Sequence, residues 1–247
     1  MIVVEEVIKR SEQGQTAPYV CRGDDGQVYF VKNGALPKRE LVAEWLAAHL
    51  ARAVGLPVPA FDLAEVPASL CDRRMGSWLT DLEPGTGFAS RRVEAGDFAW
   101  SMVAQVSAPQ RSLIAAFDWW VHNADRTLSA LGGNPNLLWR HGAHGGEVVV
   151  IDHNLAFELA FNGEAFLDTH VFAADLKLLA ADWVAREQVR QGFVAALGVV
   201  DGACATIPEA WHFADPEQTV PAAWTWPEFT ATLSRCLDDQ TFWNLTP

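Results

Sequence analysis

Hydrophobic spacing changes character along this chain, and that change limits the folds open to it more than any single motif does. In the first third, apolar residues come in short runs of strand length, with one helix among them. Beyond it they recur mainly at helical spacing. Between the two lies Glu83-Pro84-Gly85-Thr86-Gly87, the clearest linker-like punctuation in the chain. The pattern predicts an α+β chain in two lobes: residues 1–83, small and mostly β with one helix, and residues 84–247, larger and mostly helical.

Within the first part, Val3 to Ile8 reads as a strand. Tyr19-Val20-Cys21-Arg22 and Val28-Tyr29-Phe30-Val31-Lys32 flank the turn signal Gly23-Asp24-Asp25-Gly26, which predicts a hairpin. Strand alternation puts Val28, Phe30 and Lys32 on one face, and a lysine on an apolar face calls for a partner or a ligand. Arg39 to Val54 carries apolar residues at helical spacing, stopped by Gly55 and Pro57. Glu44 lies beside that apolar stripe. Glu40 sits near the helix start, where the helix dipole alone would favour an acid. Phe61–Val66 and Gly76–Leu82 read as further strands.

Composition narrows the classes. The chain has 247 residues, half of them hydrophobic, which is ample for a sizeable core. Eleven tryptophans point to a dense aromatic interior. No apolar run approaches the ~20 residues needed to span a bilayer, so no membrane insertion is expected. The N-terminus lacks the basic flank and cleavage site of a signal peptide, so a cytoplasmic protein is expected. Cys21, Cys71, Cys204 and Cys236 are far apart with no C-x-x-C pair, which suits a reducing compartment. A formal net charge of −13 repels nucleic acid and anionic membranes. It does not exclude ATP, since Mg²⁺ and one or two fixed cations set the local potential.

The second part has one interruption in its helices. Arg111 to Val121 is apolar and helix-like, and residues 168–196 and 226–243 read as helices. After the polar stretch Asn123 to Gly133, Asn136-Leu137-Leu138-Trp139 and Glu147-Val148-Val149-Val150-Ile151 bracket a Gly/His-rich turn, a second hairpin. Its first strand runs away from Asn134 and its second returns to Asp152, so both side chains belong at the same open end. Asp125 enters from the loop just before. Two carboxylates and a carboxamide then converge, the hard oxygen donors that Mg²⁺ takes alongside substrate phosphates. Phosphoryl transfer needs such a site, plus a carboxylate to orient or deprotonate the attacking hydroxyl.

At these residues the chain resembles a known family. Asn123-Ala124-Asp125-Arg126-Thr127, Asn134-Pro135-Asn136-Leu137-Leu138 and Val150-Ile151-Asp152-His153 are similar to the catalytic and metal-binding loops of HipA-like kinases, distant relatives of protein kinases and phosphoinositide lipid kinases. Gly14-Gln15-Thr16-Ala17-Pro18, Asp25-Gly26-Gln27-Val28-Tyr29-Phe30-Val31-Lys32 and Gly55-Leu56-Pro57-Val58-Pro59 agree in order and spacing. The resemblance covers roughly residues 5–165. It implies a kinase fold with ATP in the cleft between lobes, Asp125 as catalytic aspartate, and Asn134 with Asp152 on Mg²⁺. Lys32 would bind the ATP phosphates, braced by Glu44. Thr80, Asp81, Leu82 and Glu83 would be the hinge beside adenine, with Pro84 closing it. Backbone groups of Glu12, Gln13, Gly14, Gln15 and Thr16, running on to Ala17, would cover the phosphates. The acceptor would be an unidentified hydroxyl, expected on a protein serine or threonine. Because HipA-like kinases include toxins controlled by a partner protein, a regulatory partner is a further implication.

Several departures and alternatives stand. Protein kinases space the catalytic Asp and metal Asn five apart, whereas Asp125 and Asn134 are nine apart. Leu128–Gly133 therefore holds a short insertion, and Asn136 rivals Asn134 as metal ligand. The nucleotide loop has no G-x-G-x-x-G, and His153-Asn154 replaces Phe-Gly after Asp152. Asp125 has a second reading as a loop-capping carboxylate paired with Arg126. Five of seven histidines fall between His122 and His170, yet their spacing fits no compact zinc site. His122 reads as a hydrogen-bonding support for the catalytic loop, and Ser11 and Thr16 read as ordinary loop residues rather than phosphorylation sites. A binding module without transfer activity, or a kinase for a small molecule or lipid head group, is the alternative function.

Overall fold

The structure, a computed structural model, describes residues 1–11, 17–34, 36–72, 79, 81–142 and 145–245. It is a mixed α+β protein whose chain divides into two compact units. The first comprises Met1–Trp45, Pro59–Glu94 and Ile207–Ala223, and the second Leu46–Val58, Ala95–Thr206 and Trp224–Pro247.

In the first unit, alternating side chains build a closed barrel. Its strands are β1 (Ile2–Arg10), β2 (Tyr19–Gly23), β3 (Val28–Lys32), β4 (Phe61–Val66) and β5 (Gly85–Arg91), in the order β1-β2-β3-β5-β4. The expected hairpin is there, with Tyr19 opposite Val31 and Arg22 opposite Val28. Parallel pairing of Ile2 with Ala64 and Val3 with Glu65 closes the ring. Inward residues such as Val4, Cys21, Tyr29, Val31, Ala64 and Val66 fill the interior. There, burial pushes the Cys21 thiol up to about 12.

One expectation fails at the end of this unit. Gly85-Thr86-Gly87 is no linker. It begins β5, which pairs with β3 and β4, so the first unit runs on to Glu94 rather than stopping at residue 83. Glycine is required at residue 87, because a Cβ there would lie 2.6 Å from the Lys32 carbonyl oxygen. The strand expected over Gly76–Leu82 falls partly outside the described residues (76–78 and 80), and Leu79, Asp81 and Leu82 are not in a strand. The third segment, Ile207–Ala223, returns to this unit from the expected helical part. Trp211 is buried in it and donates from Nε1 to the Thr86 carbonyl at 2.9 Å.

Helix α1 (Lys38–Ala53) contributes to both units, dividing between Trp45 and Leu46. Gly55, at φ 83°, ends it, and the Leu56 N–H donates to the Ala51 carbonyl. Trp45 packs edge-on to Phe61 and Phe88 in the first unit.

The second unit pairs a small antiparallel sheet with helices. Strands β6 (Gly96–Asp97), β7 (Leu137–Gly142) and β8 (Gly145–Val150) lie in that order, and β7–β8 is the second expected hairpin. Helix α2 (Ala108–Trp120) is fully buried from Ile114 onward. The later helices are α3 (Gly163–Thr169), α4 (Ala173–Ala181), α5 (Trp183–Ala196), α6 (Val200–Ala205), α7 (Trp226–Ser234) and α8 (Asp239–Phe242). The Trp120 ring stacks on Phe193 at 4.5 Å and its Nε1 donates to the Leu233 carbonyl. Among the described residues, no helix is long and apolar enough to cross a membrane.

Candidate active site

The two groups of expected site residues lie in different units. In the first, β3 ends at Lys32, whose Nζ donates to Glu44 Oε2 of α1 at 2.6 Å. Their side chains are only 9% and 4% exposed. Such a pair is sustained by mutual neutralisation, since either charge alone would carry the full desolvation penalty. Of the two candidate acids on α1, Glu44 is the one against Lys32.

The next residue, Asn33, donates from Nδ2 to the Glu83 carbonyl at 2.7 Å, fixing the stretch that leads into β5. Asp81 accepts from the Arg10 guanidinium at 2.6 Å and from the Tyr19 hydroxyl, while Leu82 is buried in the barrel core. The side chains of Asp81 and Leu82 therefore serve the barrel. Ser11 is buried, and its N–H donates to the Pro18 carbonyl. Glu12, Gln13, Gly14, Gln15, Thr16 and Thr80 lie outside the described residues.

In the second unit the site begins where α2 stops. His122 adopts φ 53°, and the Asn123 N–H returns to the Asp118 carbonyl at 2.9 Å, a helix end that throws the chain into Asn123–Arg126. Asp125 Oδ2 accepts from Asn134 Nδ2 at 2.9 Å and from Asn136 Nδ2 at 2.7 Å. Across the base of the β7–β8 hairpin, the Ile151 N–H donates to the Asn136 carbonyl at 3.1 Å, which sets Asp152 two residues past the end of β8. Burial raises the pKa of Asp125 and the charge of Asp152 raises it further, outweighing the two asparagine hydrogen bonds that lower it. The result is a more basic carboxylate. Left-handed backbone gathers here, at His122, Asn136 (φ 47°) and Asp152 (φ 61°), a conformation that Asn and Asp tolerate better than most residues.

The insertion between Asp125 and Asn134 is a closed turn. The Thr127 N–H donates to the Asn134 carbonyl and the Asn134 N–H to Thr127 Oγ1, while Ser129 and Gly132 exchange backbone hydrogen bonds. The extra residues therefore leave Asn134 and Asn136 beside Asp125.

Arg126 does not pair with Asp125 as a loop cap. Its fully buried guanidinium donates from Nε to Asp118 Oδ2 at 2.6 Å. Asp118 also accepts from Asn123 Nδ2 at 2.8 Å and from His170 Nε2 at 3.0 Å. Since the Phe172 N–H donates to His170 Nδ1, the proton of a neutral His170 sits on Nε2. Burial opposes charge on Asp118, yet Arg126 and His170 hold its carboxyl well below the usual range. Burial also lowers the pKa of His170. Sequence reasoning passed over Asp118. The available signal was its position as the sole charge in the apolar run Ser112–Val121.

His122 accepts from the Arg235 guanidinium and stacks on Phe161 at 4.3 Å. Burial, and then Arg235, push its pKa down to about 4. It supports the helix end rather than touching Asp125.

The donor set suits a hard cation. Asp125, Asp152 and the carboxamides at 134 and 136 offer oxygen only, and both asparagines spend their N–H groups on Asp125, which leaves their Oδ1 atoms as acceptors. Among the described residues there is no cluster of three His, Cys, Asp or Glu side chains fit to hold a metal. A cation held here would thus complete its shell with carboxamide and substrate oxygens, as Mg²⁺ does.

Comparison with known proteins identifies the family. The HipA-like kinase family profile matches residues 4–246, through the C-terminal helices and well past the motifs, and the chain belongs to that family. It is accordingly a kinase-type phosphotransferase. The structure is similar to that of the Helicobacter pylori proinflammatory kinase CtkA, with a TM-score of 0.52 at 9% identity, over 98% of this chain and 96% of the other. At that identity the likeness concerns the fold alone. A search among curated proteins finds no match.

Proposed function

We propose that the protein is an ATP- and Mg²⁺-dependent kinase that phosphorylates a serine or threonine hydroxyl of a protein, with Asp125 as the residue that receives the acceptor proton. The observation that carries this reading is the Asp125 carboxylate, held by Asn134 and Asn136 and made more basic by burial and Asp152. Lys32, fixed by Glu44, binds ATP phosphates. Residues 12–17 cover them, and the backbone of 80–84 meets adenine. Asn134 and Asp152 are the residues to hold Mg²⁺. Asn134 is preferred because Asn136 is more buried. When bound, Mg²⁺ supplies charge neutralisation along the phosphates.

The hydroxyl oxygen attacks the γ-phosphorus as the bond to the β,γ-bridging oxygen breaks. Its proton passes to Asp125, and ADP leaves with the bonding electrons. Asp125→Ala is expected to keep ATP binding and lose roughly 10²- to 10⁴-fold in transfer rate. Asp152→Ala is expected to weaken Mg²⁺ dependence and transfer together. Labelled ATP with mass spectrometry for phosphoserine and phosphothreonine reads both, and wild-type transfer by Asp125→Ala would sink the assignment.

A further inference from the structure

One guanidinium reaches every segment of the second-unit cluster. Arg126 Nη1 donates to the carbonyls of Pro135 and Ile151, each at 3.3 Å, and to that of Asn136. Pro135 lies between the two asparagines on Asp125, and Ile151 immediately precedes Asp152. The same side chain is anchored by Asp118, whose other carboxylate oxygen takes Asn123 Nδ2. Ala124 and Asp125 are thus strung between two residues bonded to one carboxylate. Arg126 and Asp118 are wholly buried, so no water substitutes for these contacts. Only a planar group with several N–H donors satisfies Asp118 and the carbonyls at once.

We infer that Arg126 is a positioning residue of this kinase. Anchored by Asp118, which His170 also bonds, it sets the backbone from which Asn134, Asn136 and Asp152 are presented to Asp125, and so the spacing of the Mg²⁺ ligands. This rests on the phosphotransfer reading above. The ammonium of Arg126→Lys keeps the charge but cannot reach Asp118 and the carbonyls together. Groups that orient metal ligands in this way typically govern affinity or activity by 10- to 100-fold.

The test measures Mn²⁺ affinity in the presence of a non-hydrolysable ATP analogue, together with kcat and the KM for ATP. For folded Arg126→Lys the expected result is Mn²⁺ affinity and kcat each down by about 10- to 100-fold, with the KM for ATP little changed. A purely structural role predicts a lower melting temperature, with wild-type Mn²⁺ affinity and wild-type kcat per folded molecule; that result overturns the inference. If Arg126→Lys does not fold, His170→Leu, which removes the donor that His170 gives to the same Asp118 oxygen as Arg126, is read the same way. A loss of the same sign supports the inference, and unchanged values overturn it. Wild-type protein that binds Mn²⁺ with the analogue but transfers no phosphate defeats the phosphotransfer reading alone, because the affinity comparison still decides the role of Arg126. Wild-type protein that binds no metal–nucleotide complex defeats both.

Discussion

Lys32 and Glu44 show how a functional pair shapes the stability of the residues around it. Neither side chain is more than 9% exposed, so neither charge is tolerable alone. Lys32→Met should therefore cost about 3–5 kcal/mol by removing the cation that faces the buried Glu44 carboxylate. Adding Glu44→Leu should recover most of that loss, because two apolar groups replace an ion pair at little net cost. Urea denaturation of the three proteins reads this directly. A double variant as unstable as the single one would show that the cost lies in packing rather than charge. Lys32 was legible in the sequence because strand alternation placed a lysine where an apolar residue belonged. Asp118 was not, because its partners Asn123, Arg126 and His170 come together only once α2 has ended and the chain has returned 52 residues later.

At the scale of elements, both hairpins were readable because turn and alternation are local signals. The strand β5 was hidden, since Gly87, which lets it pass the Lys32 backbone, belongs to the stretch that reads as a linker. The same logic governs the turn between Asp125 and Asn134. Gly133 sits at φ 155°, and a Cβ there would lie 2.5 Å from the Thr127 carbonyl oxygen and 2.9 Å from Leu128 Cα. Both obstacles are backbone, so neither can swing aside. Gly133→Ala should cost about 1–3 kcal/mol by forcing apart the Thr127–Asn134 bonds that close the turn. Because Asn134 is one bond further on, the Mg²⁺ concentration for half-maximal activity should rise while the KM for ATP holds. Wild-type Mg²⁺ dependence in this variant would mean that the turn does not set the position of Asn134.

Across the whole molecule, 31 acidic against 18 basic residues leave a net charge of −13, so mild acid relieves self-repulsion as carboxylates protonate. His122 works in the opposite direction. Its Nε2 faces the Arg235 guanidinium, which can only donate, so the folded protein holds His122 neutral with a pKa near 4 against 6.5 for a free imidazole. Between those values the unfolded chain binds the extra proton, and stability falls as pH drops through that window. The Asp118 contribution stays constant there, because its depressed carboxyl loses stability only further into acid, below its ordinary 3.8. A direct stability profile would mix the His122 effect with the global charge effect. The difference between wild type and His122→Gln removes the shared part, since a glutamine can accept from Arg235 without titrating. That difference should change by no more than about 1.4 kcal/mol per pH unit, with wild type losing ground as pH falls from 6.5 towards 4. Urea unfolding at half-unit pH steps measures it. Parallel profiles would mean that Arg235 does not hold His122 neutral, and that the α2 terminus leading into Asn123–Arg126 is insensitive to protonation.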